Sequence, residues 1–186
     1  MAKNGFAEKI KAAKLGESSV ALVLVPSKEF ASASASVLRV LIEKDRAAVY
    51  ATLNKPFEVL EAFFKKQGID LKKVFFLDLV TLSAGEKAEE KEHCVFIASP
   101  NNLTEFSIAL NEVVSHISGK KLVVIDSFNT LLLYNDAAVV MRFIHFLAGR
   151  LRQLGVRAVI LAAKEETDEK MAAQLSQFVD KVIDLS

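Results

Sequence analysis

The sequence predicts an α/β protein, a three-layer α/β/α sandwich around a mostly parallel sheet of six to seven strands. Short runs of β-branched and aliphatic residues alternate with longer segments of helical periodicity. Most short runs, such as residues 21–25 and 122–125, are apolar on both faces, which is typical of parallel strands covered by helices on both sides. The chain has 186 residues, enough for one domain with a full core. We therefore expect a single domain over residues 1–186, with an N-terminal helix and lead-in over residues 1–18.

The strands are predicted where these apolar runs occur. Their apolarity is continuous rather than alternating, so both faces of the sheet should be buried. The predicted strands are residues 20–25, 47–53, 74–80, 94–98, 122–126, 156–161 and 179–185.

The segments between the strands are predicted to be helices, because their apolar residues recur at helical spacing. The clearest helix has Pro56 at its first position and stops at Gly68, which tolerates the left-handed backbone of a helix end. A short amphipathic helix is expected over residues 6–15, and a helix with an irregular start over residues 27–43. Three further helices are predicted, with caps at Asn102 (paired with Glu105), Asp136 and Thr167, the second of them ending at Gly155.

Composition restricts the cellular compartment and the classes of partner that we expect for this chain. Lys plus Arg number 24 and Asp plus Glu 23, so the net charge of +1 gives no global field for binding nucleic acid. The single cysteine, Cys94, cannot form an internal disulfide, which fits a reducing cytoplasm. No apolar run approaches the roughly 18 to 20 residues that cross a bilayer. Lysines before residues 20–25 are also typical of a secretion signal, but that run is short for a signal core of ~7–15 residues, which favours a buried strand.

Three stretches, taken in order, resemble the KaiC-like branch of the RecA superfamily of ATPases. Residues 14–25 are similar to the glycine and strand that lead into that family's phosphate loop. Residues 48–56 are similar to the strand on which the family ends with paired glutamates, and residues 121–128 to its Walker B strand and following serine. The resemblance implies a RecA-like (P-loop NTPase-like) sheet over nearly the whole chain.

The sequence departs from this family at the positions that bind phosphate and activate water. A Walker A loop uses glycines so that backbone N–H groups can converge on the phosphates, yet no glycine lies between Gly16 and Gly68. Where the family has its glutamates, the chain has Asn54 and Lys55, and neither can act as the carboxylate that activates water. We therefore interpret the chain as a degenerate member that lacks the Walker A loop, and we expect it not to be an enzyme.

The first hypothesis is a non-catalytic RecA/KaiC-like domain that has lost ATP hydrolysis and ATP binding. It would act as a regulatory or scaffolding module through contacts with a protein partner, without a cofactor and without a metal. The resemblance adds an archaeal type of signalling as context. Because ATPases of that family form rings or filaments, a homo-oligomer also stays open.

The alternative hypothesis is a nucleotide- or anion-binding domain with a non-standard phosphate site. Open α/β sheets bind ligands in the crevice at the carboxyl ends of their strands. Two lysines would supply positive charge there, and Asp126 would be the candidate for a cation, so ATP or ADP with Mg²⁺ would be the ligand. A third class, a DNA-repair accessory, is disfavoured by the net charge. The candidate binding residues are Ser27, Lys28, Asn54, Lys55 and Asp126.

The remaining reactive residues are dispersed along the chain. His93, His116 and His145 fall on different predicted elements, and Cys94 is expected to be buried, so neither a metal site nor a thiol nucleophile is predicted. The charged segment 83–92 is interpreted as a solvated excursion. Four arginines on or just after the long helix predicted to start at Asp136 suggest either a basic patch or a solvated helix face: Arg142, Arg150, Arg152 and Arg157.

Overall fold

The computed structural model describes residues 2–42 and 46–186, with side chains from residue 5 onward. Seven strands form one sheet in the order β4–β3–β2–β5–β6–β1–β7, and each neighbouring pair is parallel. The sheet is thus all parallel, where the sequence predicted mostly parallel strands. The strands are β1 Val20–Val25, β2 Arg46–Thr52, β3 Val74–Asp78, β4 Cys94–Phe96, β5 Lys120–Asp126, β6 Arg157–Ala163 and β7 Lys181–Asp184.

Seven α-helices cover both faces of the sheet in the described part of the chain, which confirms the three-layer α/β/α architecture. The first three pack on one face, together with the alternate side chains Ala21 and Val23 of β1. The last four pack on the other face, together with Val20 and Leu22. The helices are α1 Ala2–Ala12, α2 Phe30–Leu41, α3 Phe57–Lys66, α4 Leu103–His116, α5 Phe128–Tyr134, α6 Ala137–Gln153 and α7 Glu169–Ser176.

Burial follows the position of each strand in the sheet. All seven residues of β6 are buried, and so are five of the six residues of β1. The edge strands β4 and β7 are only three and four residues long and are partly exposed. Short edges limit pairing with other chains, while the central strands supply the apolar core.

Most predicted helix ends are confirmed. Gly68 and Gly155 have positive φ values of 72° and 67°, as helix-terminating glycines do. The backbone N–H of Glu105 donates to the Asn102 side chain at 3.1 Å, which confirms that cap. The predicted helix 27–43 begins with a 3-10 turn, Ser27–Glu29, before α2; its last residue, Glu43, lies outside the described residues.

Three details of the helix starts differ from the sequence prediction. Pro56 is the N-cap of α3 rather than its first helical residue, and the Asp136 side chain makes no capping bond at α6. Asp168, not Thr167, caps α7, accepting from the backbone N–H of Met171 at 2.7 Å. Thr167 is unsuited to that role because its hydroxyl donates to the Ala163 carbonyl at 2.8 Å. The short helix α5 was not predicted, since its seven residues lack a readable apolar period.

The charged excursion 83–92 contains no helix or strand and is mostly exposed, as expected from its composition. Among the residues described, no helix has the length and apolarity that a bilayer span requires.

Asp78, at the end of β3, organises the backbone that follows both β2 and β3. Its buried carboxylate accepts from the N–H of Phe57 in the first turn of α3 at 2.7 Å. It also accepts from the N–H of Val80 at 2.7 Å, and from the N–H and hydroxyl of Thr81 at 2.9 and 2.7 Å. One carboxylate therefore satisfies three backbone donors, which would otherwise remain unpaired in a buried site.

The first prediction concerns this carboxylate. Asp78→Ala removes the acceptor for three backbone N–H groups, and we expect the free energy of unfolding to fall by about 2–4 kcal/mol. Urea denaturation measures the loss. Asp70→Ala is the matched control, because Asp70 is exposed and accepts one local bond from the N–H of Lys72. Equal losses in the two variants would contradict the organising role of Asp78.

Candidate functional site

A crevice of about 540 Å³ opens at the carboxyl ends of the central strands. The strand ends meet there because the whole sheet is parallel. All five sequence-predicted residues line this crevice, so the structure brings together every member of the candidate set. Whether they bind a ligand stays a prediction. The five are Ser27, Lys28, Asn54, Lys55 and Asp126.

Asp126, the last residue of β5, is the most buried charged residue of the crevice, with 4% of its surface exposed. Its Oδ1 accepts from the side-chain amide of Asn54 at 2.8 Å. Its Oδ2 accepts from the hydroxyl of Tyr50 on β2. The peptide bond between Asp126 and Ser127 is cis. Both carboxylate oxygens thus accept a hydrogen bond within the protein.

Asn54 connects Asp126 to the start of α5. Its amide also donates to Ser127 Oγ at 3.2 Å, and its Oδ1 accepts from the hydroxyl of Thr130. The hydroxyls of Ser127 and Thr130 lie 3.2 Å apart. These bonds join β2, β5 and α5 in one polar network, so the Asn54 amide is engaged in holding the fold together.

Burial controls the protonation of the Asp126 and Tyr50 pair. Removal from water raises the pKa of Asp126, although bonds from Tyr50 and Asn54 and the charge of Lys55 act in the opposite direction. Burial also raises the pKa of Tyr50 well above its ordinary value, and the charge of Asp126 adds to the increase. A carboxyl group held towards its neutral form is a poor ligand for a hard cation, which binds ionised oxygens.

The connection after β1 shows how the chain fills the place of a phosphate loop. Pro26 leads directly into the 3-10 turn Ser27–Glu29 and then into α2. Glu165, from the connection after β6, accepts at Oε2 from the Ser27 backbone N–H at 2.9 Å and from the Ser27 hydroxyl at 2.7 Å. These two bonds lower the pKa of Glu165. A carboxylate of the chain itself therefore occupies a backbone donor of the kind that binds anions.

The two lysines of the candidate set are exposed at the crevice, which acidic residues also line. Lys28 lies in the 3-10 turn after β1, and Lys55 follows β2. The backbone of Lys55 is fixed because its carbonyl accepts from the hydroxyl of Thr52 at 2.6 Å. Glu166 lines the same crevice. The site thus carries charges of both signs.

Sequence reasoning missed the partners that hold these residues. The apolar pattern identifies Tyr50 only as part of a strand. Its spacing of two residues from Thr52 and four from Asn54 nevertheless places the three on the same side of the chain where it is extended. That spacing was a readable indication of a polar row. The partnership of Ser27 and Glu165 spans 138 residues, and no local pattern could have indicated it.

The other reactive side chains lie in separate places. Cys94 is buried, and burial, with a further contribution from the charge of Asp78, raises the pKa of its thiol to about 12, which leaves it protonated at neutral pH. His93 packs on the ring of Phe75, and His145 on that of Phe178. The described residues contain no group of His, Cys, Asp and Glu that could hold a metal ion. The structure therefore assembles no second reactive centre from these residues.

Comparisons with solved structures show the fold. The uncharacterized protein PH0321 from Pyrococcus horikoshii, crystallised with an unknown peptide, aligns with a TM-score of 0.70 and 10% identity over 94% of this chain and 80% of its own. The KaiC-like protein PH0186 from Pyrococcus horikoshii OT3 aligns with a TM-score of 0.65 and 16% identity over 91% of this chain and 73% of its own. The chain therefore has the KaiC/RecA-like fold that its sequence resembles.

Two further comparisons concern sequence. No curated protein matches the chain. The model of a family of unknown function, DUF7504, matches residues 20–185. The match begins at β1 and includes β7, so it spans the whole sheet.

The second prediction follows from the raised pKa of Asp126. The folded protein holds this proton to a higher pH than the unfolded chain, whose aspartates titrate near about 4. Its contribution to stability is complete below the unfolded-state pKa and is lost as the pH rises through the folded-state pKa. Relative to Asp126→Asn, the wild-type free energy of unfolding should therefore fall as the pH rises above about 4.

Urea titrations across this pH range measure the difference between the two proteins. The amide variant changes the hydrogen bonds by a constant amount, so the slope against pH is the informative quantity. Asp136→Asn, at an exposed residue of the same type, serves as the control and should run parallel to wild type. Parallel profiles for wild type and Asp126→Asn would show that the buried carboxyl is not held protonated.

Proposed function

This chain belongs to the DUF7504 family of unknown function, and we propose that it is a RecA/KaiC-like domain that neither hydrolyses nor binds ATP. We propose further that it works as a regulatory or scaffolding module through contacts with a protein partner. The observation that carries the proposal is the Glu165 carboxylate on the backbone N–H and hydroxyl of Ser27. It stands where β1 meets α2, the connection that forms the phosphate loop in the ATPases that this sequence resembles.

A phosphate group at this position would meet a negative charge instead of free donors. Its oxygens would compete with Glu165 for the same N–H and hydroxyl, and two like charges in contact repel. The turn is also short of donors, because Pro26 has no N–H and the N–H of Glu29 donates to the Pro26 carbonyl at 2.9 Å. Both features disfavour phosphate binding.

The carboxyl end of β2 supports the loss of hydrolysis. Hydrolysis of a γ-phosphate needs a group that orients and activates the attacking water. Asn54 stands at this strand end, and its amide is bonded to Asp126, Ser127 and Thr130. Lys55 is a cation and cannot take a proton from water at neutral pH. A catalytic base is thus missing from the position where the resembling family places one.

A protein partner is the remaining way for such a domain to act. The neighbour PH0321, which shares the fold at low identity, was crystallised with an unknown peptide. That observation belongs to PH0321, and it supports the proposal only by showing that a domain of this architecture can hold a polypeptide. A regulatory or scaffolding role requires nothing of the crevice beyond its contribution to stability.

The alternative is a nucleotide- or anion-binding domain, favoured by one observation. Lys28 and Lys55 are both exposed on a crevice of about 540 Å³, a volume typical of small-molecule sites. For ATP or ADP with Mg²⁺ to bind there, Glu165 would have to release Ser27, and Asp126, whose pKa is raised by burial, would have to be ionised to hold the cation.

The third prediction separates these two functions. Isothermal titration with ATP and ADP, with and without Mg²⁺, should give no binding heat at millimolar nucleotide, and the melting temperature should not change. A ligand that binds the folded state must stabilise it by mass action, about 2.7 kcal/mol at a hundredfold excess over Kd, so the two assays check each other. Binding heat together with a raised melting temperature would reject the proposal and select the alternative.

The fourth prediction applies to the alternative. If ATP raises the melting temperature, Lys28→Ala and Lys55→Ala should each reduce the shift, because they remove positive charge from the crevice. Lys66→Ala, an exposed lysine at the end of α3, should leave it unchanged. An equal response of all three variants would mean that nucleotide binds elsewhere.

A further inference from the structure

The outer surface of α6 and its neighbour α4 combines exposed apolar side chains with arginines. We call it the α6 face and define it by Val139, Arg142, Phe146 and Arg150 of α6 and Ile108 of α4. Phe146 and Ile108 are 59% and 56% exposed, and Val139 is 37% exposed. Large apolar side chains at this exposure are informative when they cluster.

Helix geometry gathers these residues into one stripe. The spacings from 139 to 142, 146 and 150 are three, four and four residues, so the α6 members share one side over about 16 Å of helix. The Arg150 guanidinium donates to Asn111 Oδ1 of α4 through Nε and Nη2, at 3.3 and 3.0 Å. Asn111 is three residues from Ile108, which brings Ile108 to the same surface.

Within α6 the stripe has positive charge and no acid, whereas on α4 Glu105 and Glu112 lie three and four residues from Ile108. The sequence of α6 contains three arginines and no aspartate or glutamate. Arg152 faces away and pairs with Asp180 at 3.2 Å. The partner of Arg150 is a neutral amide, and Arg142 forms no ion pair with any residue in the ranges that the structure describes. Two arginines thus flank Phe146, and neither is paired with a carboxylate of the described residues.

The opposite helix layer lacks this combination. Among the described residues, five large apolar side chains are exposed on α4, α5 and α6, but Val59 is the one counterpart on α1 to α3. Near that residue, α3 carries Glu58 and Glu61 as well as lysines, and Lys65 pairs with Glu61 at 2.9 Å. Arginines without a carboxylate partner and exposed apolar side chains therefore coincide on α6.

We propose that the α6 face binds an acidic amphipathic segment of a partner protein. Apolar side chains of that segment would cover Phe146, Ile108 and Val139, and its carboxylates would pair with Arg142 and Arg150. The proposal rests on the proposed function, that the domain acts through protein contacts, and it names the surface and the chemistry of the partner.

Charge and composition select this occupant over two others. A second copy that paired through α6, with the two-fold axis at Phe146, would bring Arg142 of one stripe against Arg150 of the other, and these charges repel. A nucleic acid would satisfy the arginines but would leave the apolar side chains without apolar partners along a phosphate backbone. An acidic segment with its own apolar side chains satisfies both components of the stripe.

Two synthetic helical peptides test the proposal. Both carry leucines at i, i+3, i+4 and i+7 spacing; one has glutamate and the other lysine at the remaining positions. With the full chain, fluorescence anisotropy should show binding of the glutamate peptide, weaker binding at high salt, and no binding of the lysine peptide. Failure of the glutamate peptide to bind overturns the proposal.

Variants locate the binding surface. The double variant Arg142→Glu, Arg150→Glu should bind the glutamate peptide at least tenfold more weakly than wild type. Phe146→Ser should bind it several-fold more weakly, and the double variant Arg142→Lys, Arg150→Lys should retain binding. Lys11→Glu with Lys66→Glu, at exposed residues of the other helix layer, makes the same change in net charge and should have no effect. Equal losses in the two charge-reversed proteins would show that net charge, not this face, binds the peptide.

Three outcomes reject the proposed occupant or separate it from the proposed function. Light scattering that shows a dimer, dissociated by the Arg142 and Arg150 reversals, would assign the face to a second copy. Preference for a short duplex DNA over the glutamate peptide would assign it to nucleic acid. Nucleotide binding with peptide binding intact would reject the proposed function alone, whereas absence of both would reject this inference alone.

Discussion

The parallel direction of every strand is the constraint on which the rest of this structure depends. Parallel strands require a crossover for each return, and these crossovers place helices on both faces of the sheet. The central strands are therefore apolar on both sides, as in β1 and β6. The same constraint gathers the carboxyl ends of the strands along one edge, where Tyr50, Asn54 and Asp126 meet although they come from strands far apart in sequence.

The polar edge is satisfied from within the chain. Asp126 accepts from Tyr50 and Asn54, Glu165 accepts from Ser27, and Asp78 accepts from three backbone groups. Leaving the buried groups around Asp78 and Asp126 unpaired would cost about 1–3 kcal/mol for each. In a ligand-binding crevice, some hydrogen-bond donors and acceptors have no partner until the ligand binds. Here the strongest donors and acceptors already have partners, so the edge contributes to stability.

How well the sequence predicts each feature depends on how far apart in sequence the interacting residues are. Strands and most helices were recoverable because apolarity and capping residues act over a few positions, and Gly68, Asn102 and Gly155 stand where they were expected. Helix α5 was missed because seven residues give no clear period. All five crevice residues were predicted from strand ends, but their bonding was not. Asn54 pairs with a residue 72 positions away, and Ser27 with one 138 positions away.

The two surfaces of interest differ in what the fold requires of them. The crevice is polar because parallel strands end there, and its groups are needed to close that edge. Nothing in the packing of α6 requires Phe146 or Val139 to be exposed, since the core-facing side of the helix is supplied by Val140, Ile144 and Leu147. Exposed apolar groups and arginines without an acidic partner contribute little to the stability of this fold. Their coincidence on one helix face is therefore better explained by contact with a partner than by folding.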